Sequence, residues 1–138
     1  MGSNLEKLKR LADKITTYEI IRKNNIKRLK ELYKSLEIGK KVDSFEKIFD
    51  FKAMNLSGVS LNETNFCKIQ KGKYIQIIAI KKEGGKNKNI NIRYFGRAEK
   101  IDPKLLNEIV EFILRWRLEK SFKNSDYYKN LINKIEKN

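Results

Sequence analysis

Two runs rich in β-branched and aromatic residues, Lys73 to Ile80 and Asn89 to Phe95, flank the segment Glu83-Gly84-Gly85-Lys86-Asn87. Such runs favour a pleated strand, and paired glycines supply the positive φ that a reversal needs. A β-hairpin here is the strongest constraint on the fold, because its apolar face must be covered by the rest of the chain. A third strand is expected around Phe66-Cys67-Lys68-Ile69 and a fourth near Phe49 to Met54.

Helices supply the cover. Ser3-Asn4-Leu5-Glu6 matches a capping box, and Gly39 offers a stop after Ile38. Between them Leu8, Ala12, Ile15, Ile26, Leu29, Tyr33 and Leu36 keep a near-heptad spacing that Glu19 and Arg22 interrupt. A continuous helix would be about 50 Å long and would project beyond a small sheet or pair with a second chain. A break or kink at Asn24-Asn25 would fold it into a helical hairpin, and the change of phase near that point favours the break. Residues 42–67 are acidic; Asp43 or Ser44 is expected to cap a short helix through Phe49, before loops at Asn55, Ser57, Gly58, Ser60 and Asn62.

Past the hairpin, Asp102-Pro103 is a helix start, and Leu105, Leu106, Ile109, Val110, Phe112, Ile113, Trp116 and Leu118 give a broad apolar face. Asn124 or Ser125 is expected to cap a final short helix with Tyr128, Leu131, Ile132 and Ile135 on its inner side. The fold class is α+β: a long or broken N-terminal helix, a small antiparallel β-sheet built on a basic hairpin, and C-terminal helices packed on one sheet face. One nucleic-acid-binding domain, 1–138, suits this length: a helical arm or hairpin over 1–41, a sheet region over 42–100 and covering helices over 101–138.

The charge points to a partner. The chain carries 32 Lys plus Arg against 17 Asp plus Glu, a net +15. Residues 68–100 alone hold 10 basic and 2 acidic side chains, so over half of the excess lies in the hairpin region. A polyanion site concentrates charge in this way, whereas plain solvation by lysine spreads it.

Period-two alternation assigns the faces of the second strand. Ile90, Ile92 and Tyr94 are expected toward the helices, with Asn91, Arg93, Phe95 and Arg97 on the open face, where Phe95 sits between two guanidinium groups. Lys73, Tyr74 and Gln76 are their expected neighbours, and Lys81, Lys82, Lys86 and Lys88 crowd a mobile basic loop. Phosphates would meet the Lys and Arg side chains and bases would stack on Phe95 and Tyr74, a pattern suited to sequence-independent single-stranded DNA or RNA binding. Ordinary packing is the competing role for both rings. Arg93-Tyr94-Phe95-Gly96-Arg97 differs in order from the signature of the RNA-recognition motif, and the chain lacks that motif's βαββαβ layout.

Other classes recede. With no histidine there is no Ser-His or Cys-His pair and no imidazole metal ligand. Cys67, the sole cysteine, reads as a small apolar residue. Asp43, Glu46 and Asp50 share helical spacing suited to Mg²⁺ but read better as solvated surface, and Gly84-Gly85 lacks the P-loop pattern. No enzyme, cofactor or metal site is expected. The longest mainly apolar runs, such as Ile75 to Ile80, are too short to span a bilayer and no apolar signal region opens the chain, so a cytoplasmic protein without a membrane is expected. A homodimer through the N-terminal helix, an assembly subunit of a nucleoprotein complex and a basic inhibitor of an acidic protein are the other partnerships the sequence allows.

Overall fold

The computed structural model describes the backbone of residues 2–137 and the side chains of 4–13 and 17–137. The chain runs α1 (Gly2–Ser35), β1 (Ala53–Ser57), β2 (Tyr74–Glu83), β3 (Lys86–Arg97) and α2 (Pro103–Glu136), with 3₁₀ turns at Ile38–Lys40, Phe45–Asp50 and Ala98–Lys100. The strands form one antiparallel sheet in the order β1-β2-β3, and the helices share a core with one of its faces. The architecture is α+β.

The hairpin forms with longer strands than expected. Gly84 and Gly85, at φ of 56° and 80°, make the whole connection between strands of 10 and 12 residues. Two successive positive φ values give a turn whose twist matches that of the strands it joins. Lys81, Lys82, Lys86 and Lys88 therefore sit on paired strands, not in a mobile loop. The third strand is Ala53–Ser57, overlapping only the end of the Phe49 to Met54 expectation. Phe66 to Ile69 forms no strand: Cys67 takes a left-handed φ of 64°, which breaks an extended run, and only Ile69 pairs, with Val59. The helix expected to start at Asp43 or Ser44 is the 3₁₀ turn Phe45–Asp50, where the Ser44 hydroxyl bonds Glu46 and caps no amide.

Both helices are uninterrupted, contrary to the two breaks read from the sequence. Asn25 is buried, donates to the Arg115 carbonyl at 3.0 Å and accepts from the Arg115 guanidinium at 3.1 Å. Its amide thus serves the partner helix instead of competing for its own backbone. At Asn124-Ser125, α2 is held in helix by neighbours reaching α1: Phe122 meets Tyr18 edge-on at 5.2 Å, and Asp126 accepts from Arg22. The α2 start follows expectation, with Pro103 first and Asp102 accepting from the Leu105 amide at 3.2 Å. The proposed capping serine, Ser3, and the heptad residue Ile15 have side chains outside the described residues.

The α1 helix stops four residues before Gly39. Glu37 takes the left-handed C-terminal position, at φ 56°, that glycine usually fills. Its carboxylate receives Lys40 at 2.9 Å and Arg93 at 3.0 Å, while Arg93 Nε donates to the orphan carbonyl of Leu36 at 3.1 Å. The Lys40 hydrogen bond, then charge from Lys40 and Arg93, holds the Glu37 carboxyl below its ordinary pKa.

The core joins Ile75, Ile77 and Ala79 of β2 to Leu29, Leu32 and Leu36 of α1 and Ile109, Phe112 and Ile113 of α2. Each large side chain buried there contributes roughly 1.5–3 kcal/mol. Trp116 belongs to it too, with its indole N–H on the Ile48 carbonyl at 2.8 Å, and Cys67 packs half-buried against its edge. The last links from α2 to this head are Lys120, donating to the Phe49 carbonyl at 3.0 Å, and Lys123, 4.8 Å above the Phe49 ring. Beyond them Tyr128, Leu131, Ile132 and Ile135, expected on an inner face, are exposed, as are Leu5, Leu8 and Leu11 of α1. The two helices continue past the sheet as an arm. Among the described residues no helix is long and apolar enough to cross a membrane.

Candidate nucleic-acid interface

The sheet's open face is set by two irregularities of β3. Register shifts fall between Ile75 and Gln76 and between Ile77 and Ile78 on β2, leaving Phe95 and Ile92 of β3 as extra residues. A bulge re-aims every side chain that follows it. Gly96, at φ 96° beside the first shift, takes a conformation open in practice to glycine alone.

The expected alternation is corrected accordingly. Ile75, Ile77 and Ala79 face the core, so Tyr74, Gln76, Ile78 and Ile80 face outward. Gln76 pairs with Tyr94, Tyr74 with Arg97 and Ile78 with Asn91, which puts Tyr94, Arg97 and Asn91 on the outer face as well. Arg93 pairs with buried Ile77 and turns inward to cap α1, its guanidinium 5.6 Å over the ring of Phe95, which packs on the core. Phe95 is therefore not an open platform, and Arg93 and Arg97 do not flank it on one face.

The aromatic surface is instead a tyrosine pair. Tyr74 and Tyr94 have ring centroids 5.8 Å apart at 39°, and the residues are 47% and 50% exposed. Beside them the Asn91 amide donates to Gln76 at 3.0 Å. That bond uses one donor and part of one acceptor, so both amides keep hydrogen-bonding capacity toward solvent. Arg97, half-exposed, is 2.9 Å from Glu99. Backbone amides of Glu99 itself and of Gly72, then Arg97, hold the Glu99 carboxyl below its ordinary pKa. Among the described residues no helix packs on this face, and half-buried Ile78 and Ile80 are shielded by their neighbours in the sheet without joining the core.

The remaining basic candidates divide. Lys73, exposed, precedes β2 at the tyrosine end. At the hairpin tip the alternation sends Lys82 outward with the tyrosine face, while Lys81 pairs with Lys88 on the opposite side, and Lys86 pairs with Glu83 there. Lys81 and Lys88 lie 4.0 Å and 3.9 Å from Glu83. They also line a cleft of about 510 Å³ against the core side of the sheet, shared with Lys41, Lys47 and the buried Phe51 and Ile92. The expected set is thus split over two faces: Tyr74, Gln76, Lys82, Asn91 and Arg97 on one, Lys81, Lys86, Lys88 and Arg93 on the other. Asp43 pairs with Lys47 at 2.9 Å and Glu46 with Ser44, and among the described residues no three acidic or sulfur groups converge as a metal site would require.

Tyr94 is what sequence reasoning missed, because strict alternation from Ile90 sends it to the core. The signal was Gly96, an isolated glycine inside a strand run, which marks a bulge. No protein family, curated protein or solved structure matches this chain.

Proposed function

We propose that this protein binds single-stranded DNA or RNA, without regard to base order and without chemical conversion, across the outer face of its sheet inside the cell. The observation that carries the reading is the Tyr74–Tyr94 pair, 5.8 Å apart on a face that no helix covers among the described residues. Unstacked bases lie flat on exposed rings, and base–aromatic stacking of this kind tolerates any sequence. Gln76 and Asn91 offer amides to base edges beside the rings. Lys73, Arg97 and Lys82 mark a path for phosphates from the tyrosine end to the hairpin tip. A duplex keeps its bases stacked inward and gains nothing from the rings.

Fluorescence anisotropy with a labelled oligonucleotide over a salt series tests this. Contact with about 4–6 phosphates gives a log–log slope of roughly −3 to −4 for a single strand. Tyr94→Ala should cost about 1–3 kcal/mol of single-strand affinity and leave folding intact. Duplex bound as tightly as single strand, or a Tyr94→Ala protein of unchanged affinity, would overturn the reading.

A further inference from the structure

In the head, the helix pair turns one apolar side to the sheet, and that side does not end where the sheet does. On α2, steps of three or four residues lead from Ile113 and Trp116 through Lys120 and Lys123, both touching Phe49 of the head, to Tyr127, Leu131 and Ile135. On α1 the stripe is interrupted beyond Leu29 by Asn25, Arg22 and Tyr18, which turn to α2, and apolar side chains return at Leu11, Leu8 and Leu5. These six side chains are 60%, 37%, 74%, 56%, 64% and 58% exposed. Among the described residues, the arm therefore carries large apolar side chains left open to solvent.

We propose that a second copy of this chain covers it, the two arms stacking face to face as an antiparallel four-helix bundle about a two-fold axis. The size fits. Six side chains of roughly 100–200 Å² each, exposed to this extent, leave on the order of 400 Å² of apolar surface. A stable interface buries about 800 Å² per partner, a little over half of it apolar. Layer on layer is also the usual answer to an open helix face, and a two-fold contact lets one patch serve both chains.

Charge chooses the occupant and its direction. The segments 4–23 and 118–137 hold 11 basic and 6 acidic residues, with Glu6, Asp13, Glu19, Asp126 and Glu136 interspersed among lysines. Mixed signs suit a protein neighbour; a helix lying on an anionic lipid surface carries a largely basic polar face. The rest of the chain holds 21 basic and 11 acidic residues, a net +10. Two such heads repel, which places them at opposite ends of the bundle.

The inference does not depend on what the sheet binds. Sedimentation equilibrium on the full chain at tens of micromolar should give twice 16.4 kDa, and small-angle scattering should show two separated masses. The pair Leu8→Glu and Leu131→Glu, exposed in the single chain, should raise the dimer dissociation constant at least about 100-fold; so should Leu11→Ser with Tyr127→Ser. Far-ultraviolet circular dichroism and Trp116 emission should stay unchanged in both. A monomeric wild-type chain, a dimer indifferent to these substitutions, adjacent heads in the scattering, or a monomer that floats with phosphatidylserine vesicles would each overturn it.

Discussion

The same two helices lead different lives in their two halves. In the head, Leu29, Leu32, Ile109, Phe112 and Ile113 are fully buried against the sheet. In the arm, leucines and isoleucines at the same helical spacing are exposed, from 37% at Leu131 to 74% at Ile135. Amphipathic patterning alone does not distinguish the halves; what does is whether a sheet lies beneath. Between them sits a polar seam. Arg28 makes a bidentate pair with Glu111 at 2.9 and 3.0 Å, Asn25 bonds Arg115 twice, and Arg22 bridges Glu119 and Asp126. That seam fixes which residues of α1 face which of α2, a task a uniform apolar stripe performs poorly because sliding by a turn costs it little.

The sharpest way to break the comparison is to truncate one side chain in each half. Phe112→Ala should lower stability by about 3–5 kcal/mol, and Leu8→Ala, in dilute monomer, should stay within about 0.5 kcal/mol. Urea unfolding measures both, and a Leu8→Ala loss as large as that of Phe112→Ala would mean the arm is covered within its own chain.

Next in size is the seam. The Glu119 side chain is 3% exposed, one of its oxygens accepts from Arg22 at 3.3 Å, and the other has no hydrogen-bond partner among the described residues. Arg22→Ala leaves a buried carboxylate without its cation and should cost about 3 kcal/mol, most of it recovered when Glu119→Gln is added. Arg10→Ala, removing an exposed pair with Glu6 at 3.7 Å in the arm, should cost under about 0.5 kcal/mol. A double-mutant cycle without recovery would mean that Arg22 acts through its stem and not its charge.

The smallest effect is pH dependence. The Arg28 hydrogen bonds, opposed by burial and aided by Arg115, hold the Glu111 carboxyl below its ordinary value of 4.5. A carboxyl whose folded pKa is depressed stabilises the protein above its unfolded pKa and loses that contribution as pH falls through the folded one. Unfolding midpoints should therefore drop below about pH 4.5, and Glu111→Gln should flatten part of that drop. An unchanged profile in Glu111→Gln would assign the acid sensitivity to other carboxylates.

What the sequence disclosed, and what it hid, follows from range. Gly84-Gly85 and Asp102-Pro103 shape the backbone within a turn of themselves, so hairpin and helix start are readable locally. Asn24-Asn25 reads as a break only because its answer, Arg115, lies 90 residues away. The candidate site suffered likewise. Tyr74, Gln76 and Asn91 share a face as the residue types suggested, but two bulges exchanged Phe95 for Tyr94 and turned Arg93 into a cap for α1. Only Gly96 hinted at that exchange.

The seam also bears on how the chain reaches this structure. Its bonds join positions 83, 90, 97 and 104 apart, with the whole sheet threaded between them. A chain with so much helix would ordinarily be expected to fold quickly through neighbouring contacts. Here the first and last elements meet only after long loop closure, and refolding should be slow for a helical protein, closer to the pace of a β-rich one.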